Sequence, residues 1–129
     1  LESRTVSAVV SRNDVLWLQG LSRRVHVDES LLHYIVQIVH ATRHAGDYLP
    51  QEQARYLEYG ASPRATIAFV EAACAHALMH GRDHVIPDDV RAMRHMILRH
   101  RLILTFEAVA TQVPVEEIID GIFGAVPTP

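Results

Sequence analysis

The sequence predicts a mostly α-helical fold with room for a very small β ladder, and three observations carry that reading. Apolar residues recur at helical spacing in five segments. No stretch alternates apolar and polar residues long enough to build a large sheet. Helix-start and helix-stop residues, Ser62-Pro63, Gly81 and Pro87 among them, fall at the ends of the periodic segments. At 129 residues, with 49% apolar and 21% charged side chains, residues 1–129 are expected to form one domain. Such a chain buries roughly two thirds of its unfolded surface.

The first helix is expected to start at Asn13 or Asp14 and to carry Val15, Leu16, Leu18 and Leu21 as one stripe. Val25-His26-Val27 reads as a short extended piece. Asp28 can then accept from the free amides of a central helix, whose wide apolar face holds Leu31, Leu32, Ile35, Val36, Ile38, Val39 and Thr42. From Ala45 to Tyr59 the pattern gives way to loop chemistry, with a helical turn expected near Gln51 to Leu57.

In Gly60-Ala61-Ser62-Pro63-Arg64 the periodicity restarts. Ser62 suits the cap, and Pro63 suits the first helical position, where its missing amide would have gone unpaired anyway. Ile67, Val70, Cys74 and Ala77 continue that helix, and its many alanines let another backbone approach closely. Gly81 is the natural left-handed stop. His84-Val85-Ile86 is a second extended piece, expected to lie beside the first. Pro87-Asp88-Asp89 opens a helix with Val90, Met93 and Ile97 that ends near His100. Leu102 to Phe106 is too short to assign by period. The last helix follows Val113-Pro114 and presents Ile118, Ile119, Ile122 and Phe123, with Pro127 and Pro129 beyond its end. The expected core comprises Ile35, Val39, Ile67, Val70, Cys74, Val90, Met93, Ile97 and Ile119.

Composition removes several classes of function. One cysteine, Cys74, makes neither an internal disulfide nor a cysteine-based zinc site. All twelve basic residues are arginine, and the net charge of −3 leaves no electrostatic footprint for a phosphate backbone, so no nucleic-acid partner is expected. No apolar run approaches the length of a membrane span, and no signal pattern opens the sequence. The first residue is leucine, and residues 1–10 run straight into patterned sequence, which reads as a piece of a longer protein.

Candidate sites are few. His76 and His80 have the four-residue spacing that could hold a metal from one helix face, but Ala77 stands where hydrolytic zinc chemistry needs a glutamate. They read as a half-exposed structural pair, and no metal site is expected. His33, His40 and His44 share a stripe with Gln37 and read as a solvated face. Cys74 lies on an apolar stripe, where its thiol should be raised in pKa and unreactive. Asp88 and Asp89 are accounted for by a helix start. Gly60 to Arg64 is open to two readings: a well-capped helix with a surface arginine, or an anion site built from free amides and a guanidinium.

Tyr34-Ile35-Val36, Ala41-Thr42-Arg43, Gly60-Ala61-Ser62-Pro63-Arg64-Ala65, Gly81 to Val90 and Leu98 to Leu102 together resemble the C-terminal lid domain of MoxR-family AAA+ ATPases. The resemblance runs from about residue 6 to the end, in the same order. It implies a helical lid bundle that packs on its own AAA+ core, with Arg64 as the second sensor arginine and Ser62 beside it at the nucleotide. Arg43, Arg82 and Asp89 are read as structural. The resemblance further implies ATP and Mg2+ in a parent ATPase of cytoplasmic location, homo-oligomeric and chaperone-like, with partner proteins that include von Willebrand factor A-type domains. Without lysine the chain holds no phosphate-loop motif, so by itself it should fold, bind nucleotide weakly or not at all, and not hydrolyse ATP. A rival likeness joins Ala72 to Val90 to the second half of a histone fold, or to another helical interaction module. The acidic balance and the long N-terminal half weigh against it.

Overall fold

The computed structural model describes residues 6–129. Its elements run α1 (Arg12–Ser22), α2 (Glu29–Arg43), α3 (Ala45–Tyr48), α4 (Gln51–Ala54), β1 (Leu57–Tyr59), α5 (Arg64–Met79), α6 (Pro87–Leu98), β2 (Ile103–Leu104), α7 (Phe106–Ala110) and α8 (Val115–Ala125). The five long helices are the five that periodicity predicts. α5 is the hub, with α6, α2 and α1 packed against it, while α8 closes over α2 and α6.

The core follows from which faces those helices turn inward. α2 contributes Leu31, Tyr34, Ile35, Ile38 and Val39, and α8 contributes Ile118, Ile119, Ile122 and Phe123. Phe123 ties three helices together: its ring meets Tyr34 edge-on at 6.3 Å and Phe69 of α5 at 6.1 Å. Ile35, Val39, Cys74, Val90 and Ile119 are buried as expected, and Val70, Met93 and Ile97 are half-buried.

Ile67 is a correction, being 61% exposed. α5 turns Ala65, Phe69, Ala73, Cys74 and Ala77 inward instead. Its neighbours approach on the alanine side because small side chains permit the closest helix contact, and that choice rotates Ile67 toward solvent. Leu32 and Val36 of α2 are likewise exposed, at the margin of a face narrower than the sequence suggests.

Both extended pieces meet as expected. His26 and His84 form one parallel bridge, with His26 N–H donating to the Asp83 carbonyl at 2.8 Å and Val85 N–H to the His26 carbonyl at 2.9 Å. A second pairing was not legible: β1 and β2 form an antiparallel two-stranded sheet, Leu57 opposite Leu104 and Tyr59 opposite Ile103. The segment read as loop therefore holds two short helices and a strand. Gly81 ends α5's turn at φ +71°, the left-handed backbone that glycine adopts without a side-chain clash.

α1 differs from the rest. Its cap is Ser11, not Asn13 or Asp14: Asp14 N–H donates to Ser11 Oγ at 3.1 Å, and Ser11 N–H to Asp14 Oδ2 at 2.8 Å. None of its eleven residues is buried, and Val15, Leu16, Trp17 and Leu18 all stand exposed. An apolar groove of about 710 Å³ runs between it and α5, past Val70, Cys74 and Leu78.

Candidate functional site: a free arginine at a helix start

The start of α5 is set by the end of α2. Thr42, the last residue but one of α2, is 1% exposed. Its hydroxyl donates to the Val39 carbonyl at 2.7 Å and accepts the Ala61 amide at 2.9 Å, so one side chain links two segments nineteen residues apart. Gly60 lies flat on the same helix end. A Cβ there would stand 2.1 Å from the Thr42 carbonyl oxygen and 2.6 Å from the Arg43 nitrogen, backbone atoms that cannot swing aside. Ala61 and Ala65 are both fully buried. The Gly-Ala-Ser-Pro-Arg segment is thus held on its inner side, and Ser62, Pro63 and Arg64 face outward.

Pro63 already has helical dihedrals, φ −55° and ψ −21°, in line with its expected place at the first helical position. The Ser62 hydroxyl, however, makes no capping bond. It is the Ser62 carbonyl that engages the turn, accepting from Ala65 N–H at 2.9 Å. A proline immediately after the cap fixes the chain's entry angle, so the helix starts without the serine side chain.

Arg64 is exposed, and among the described residues its guanidinium has neither a hydrogen bond nor an ion pair. Arg82, Arg94 and Arg99 are by contrast each bonded to a carboxylate. An outward-facing guanidinium with all five donors available, on the first residue of a sixteen-residue helix, suits a phosphate or carboxylate oxygen pair. Arg43 also lacks a side-chain partner among the described residues. Its structural part lies in its backbone, against which Gly60 rests, and the recess of about 300 Å³ beside it also holds Asp47 and Glu58. Those two carboxylates make it a poorer anion site than the start of α5.

Arg82 and Asp89 are structural, as read. Asp89 has a fully buried side chain that reaches back from the first turn of α6. It accepts two bonds from the Arg82 guanidinium at 2.6 Å each, one from the Ile86 amide at 2.8 Å and one from His76 Nδ1 at 2.6 Å. Burial by itself would raise this carboxyl's pKa, but the Arg82, Ile86 and His76 bonds outweigh it and hold it well below the usual carboxylate range. His76 therefore serves a carboxylate. His80 packs against it, ring centroids 4.3 Å apart and planes tilted by 35°, and donates from Nδ1 to the His76 carbonyl. Burial pushes the Cys74 thiol up, and the Asp89 charge pushes it further, so the thiol is an unreactive core group. His33, His40 and His44 are solvent-facing, His40 and His44 stacking at 4.1 Å.

The Thr42 link was missed at the sequence level. Its signal was a threonine at the polar edge of an apolar face together with a glycine just before the Ser-Pro start, a pair that only the fold brings together. Among the described residues no group of three or more His, Cys, Asp or Glu side chains is placed to hold a metal ion.

These features define a class: a helical module presenting one uncommitted arginine at a braced helix start. Residues 50–122 match the family model of the AAA lid domain. The chain is 36% identical over 94% of its length to "Chaperone MoxR1" of Mycobacterium tuberculosis, covering 32% of that protein, and 38% identical over 97% of its length to "Uncharacterized protein YeaC" of Bacillus subtilis, covering 36% of it. It superposes on a crystal structure from Cytophaga hutchinsonii, named there a "putative ATPase", with a TM-score of 0.88 and 39% identity over 93% of this chain and 36% of that one. The chain belongs to the AAA lid domain family, of the MoxR type. That assignment displaces the histone-fold reading. The chain spans about a third of the length of the curated relatives it matches.

Proposed function

We propose that this chain is the lid of a MoxR-type AAA+ ATPase and that Arg64 is its second sensor, reaching the terminal phosphates of ATP held by a core domain of the same protein. The observation that carries this reading is the contrast in commitment: Arg64 has no partner among the described residues, while the backbone on either side of it is pinned by Thr42, Gly60, Ala61 and Ala65. A guanidinium so placed can pair two phosphoryl oxygens at once and offset the charge that spreads over them during phosphoryl transfer. ATP supplies the phosphoryl group, and the magnesium ion is held by the core. Ser62, outward-facing beside Arg64, offers a hydroxyl to the same nucleotide. Lid position then reports nucleotide state within a homo-oligomer.

The coupled activity would be chaperone-like maturation of partner proteins in the cytoplasm, including partners with von Willebrand factor A-type domains. The chaperone-like part draws support from the mycobacterial relative, "Chaperone MoxR1". Among the described residues, no helix is long and apolar enough to cross a membrane. The testing experiment replaces Arg64 with alanine in the full-length protein and measures ATP hydrolysis and melting temperature on the same sample. Turnover should fall on the order of tenfold or more, whereas an exposed side chain should move the melting temperature by only about 2 °C. Lysine should rescue poorly, because it keeps the charge and loses the planar fork. Full turnover in the alanine variant would end the sensor assignment.

A further inference from the structure

We infer that Thr42 is a positioning residue for Arg64: its buried hydroxyl fixes where the guanidinium sits, and so sets turnover without touching nucleotide. The inference rests on the sensor reading above and adds the part of the fold that makes it work.

Four observations converge on it. Thr42 is one of only two polar residues buried among the described ones, the other being Asp89. Asp89 is accounted for by four bonds at the junction of α5 and α6, whereas the Thr42 hydroxyl, donating to Val39 of its own helix, ties the end of α2 to the separate segment at Ala61. Its acceptor role satisfies the Ala61 amide, which is buried three residues before Arg64 and has no partner in a helix or strand. Gly60, pressed on the Thr42 carbonyl, removes the remaining play, because any shift of the segment toward α2 would drive backbone into backbone. The start of α5 has no side-chain cap of its own to define it. Its geometry therefore comes from the end of α2, through one hydroxyl and one glycine.

A link of this kind matters because a guanidinium pairs two oxygens only within a narrow range of position and angle, and small displacements of a catalytic group cost large factors in rate. Without the Thr42 hydroxyl the Ala61 amide must find water, and the Gly-Ala-Ser-Pro-Arg segment lifts from α2. Arg64 is then intact, charged and misplaced.

The test is a cycle in the full-length ATPase, with kcat, KM for ATP and melting temperature measured for Thr42→Val, Thr42→Ser, Arg64→Ala and the Thr42→Val/Arg64→Ala double variant, all well below the lowest melting temperature. Valine keeps the branched shape and removes the hydroxyl; serine keeps the hydroxyl. Thr42→Val should lower kcat about tenfold, Thr42→Ser should restore most of it, and the double variant should turn over no more slowly than Arg64→Ala. A drop for Arg64→Ala with unaltered turnover for Thr42→Val overturns the positioning role alone. Multiplying losses in the double variant do the same, since Thr42 would then act independently of Arg64. Unaltered turnover for Arg64→Ala overturns the sensor reading and this inference with it. Should Thr42→Val fail to fold, Thr42→Cys, which leaves only a weak sulfur partner for the Ala61 amide, enters the same cycle with the same outcomes.

Discussion

Two helix starts in this molecule use charge in opposite ways. At α6 an acidic residue of the first turn is buried and spent: Asp89 takes Arg82, His76 and the Ile86 amide, so the Arg82 guanidinium is engaged within the fold. At α5 the bracing is done by neutral groups, a threonine hydroxyl, a glycine and two buried alanines, and the arginine of the first turn is left over. The difference teaches how to separate a structural arginine from an available one. Resemblance separates Arg82 from Arg64 in the sequence, and the buried carboxylate beside Arg82 gives that separation its physical cause.

The largest effect should come from breaking the committed junction. Asp89→Ala leaves the Arg82 guanidinium and the His76 Nδ1–H without their shared acceptor. Because Arg82 keeps some contact with water, the cost should be about 3 kcal/mol, or roughly 10 °C in melting temperature. Thermal unfolding followed by circular dichroism measures it, and a drop of less than about 1 kcal/mol would mean that the junction is not the anchor of α6.

Acid sharpens the same comparison. Asp89 has a folded-state pKa held below its unfolded value near 3.9, so its contribution is fully present above that pH and is lost as pH falls toward the folded value. Stability should therefore decline below about pH 4. Two more carboxyls share that decline: Asp120, lowered by Arg94 and His95 against its own partial burial, and Glu116, lowered first by its own backbone amide and then by Arg99. In Asp89→Ala the acid slope should be shallower, whereas in Arg64→Ala it should match the parent, because among the described residues no carboxylate pairs with Arg64. Chemical denaturation at several pH values distinguishes the two.

At the other junction, Gly60→Ala forces a methyl group against backbone atoms of Thr42 and Arg43. A cost of about 1–3 kcal/mol is expected, with loss of turnover in the full-length protein larger than the stability change alone would cause, since the displaced segment carries Arg64. Equal turnover would detach the glycine from the sensor. The smallest effect belongs to Ile67→Ala. With Ile67 more than half exposed, the change should stay within about 0.5 kcal/mol, and a loss of 2 kcal/mol or more would restore the face that periodicity predicted.

The helices were legible because each has its own local signal. α2, α6 and α8 carry one strong apolar stripe each, Pro63 and Gly81 bracket α5, and Pro87 and Pro114 mark the starts of α6 and α8. The register of α5 was not legible, since alanine and isoleucine both count as apolar while differing in how close a neighbour can come. β1 and β2 escaped for a related reason. Three residues against two, joined across more than forty intervening positions, leave no periodic trace.

By itself the sequence determined the helical class, the placement of the five long helices, the meeting of His26 with His84, the inert character of Cys74, and Arg64 as the residue to examine. All but the last follow from short-range chemistry, namely side-chain period, caps and breakers, and Arg64 follows from resemblance to a known family. Tertiary structure alone decided which face of α5 is inside, that Asp89 consumes Arg82 and His76, and that Thr42 and Gly60 brace the segment bearing Arg64. Each of those depends on atoms from distant parts of the chain coming within hydrogen-bond or van der Waals reach, and such distances are properties of the packed molecule that no local pattern encodes.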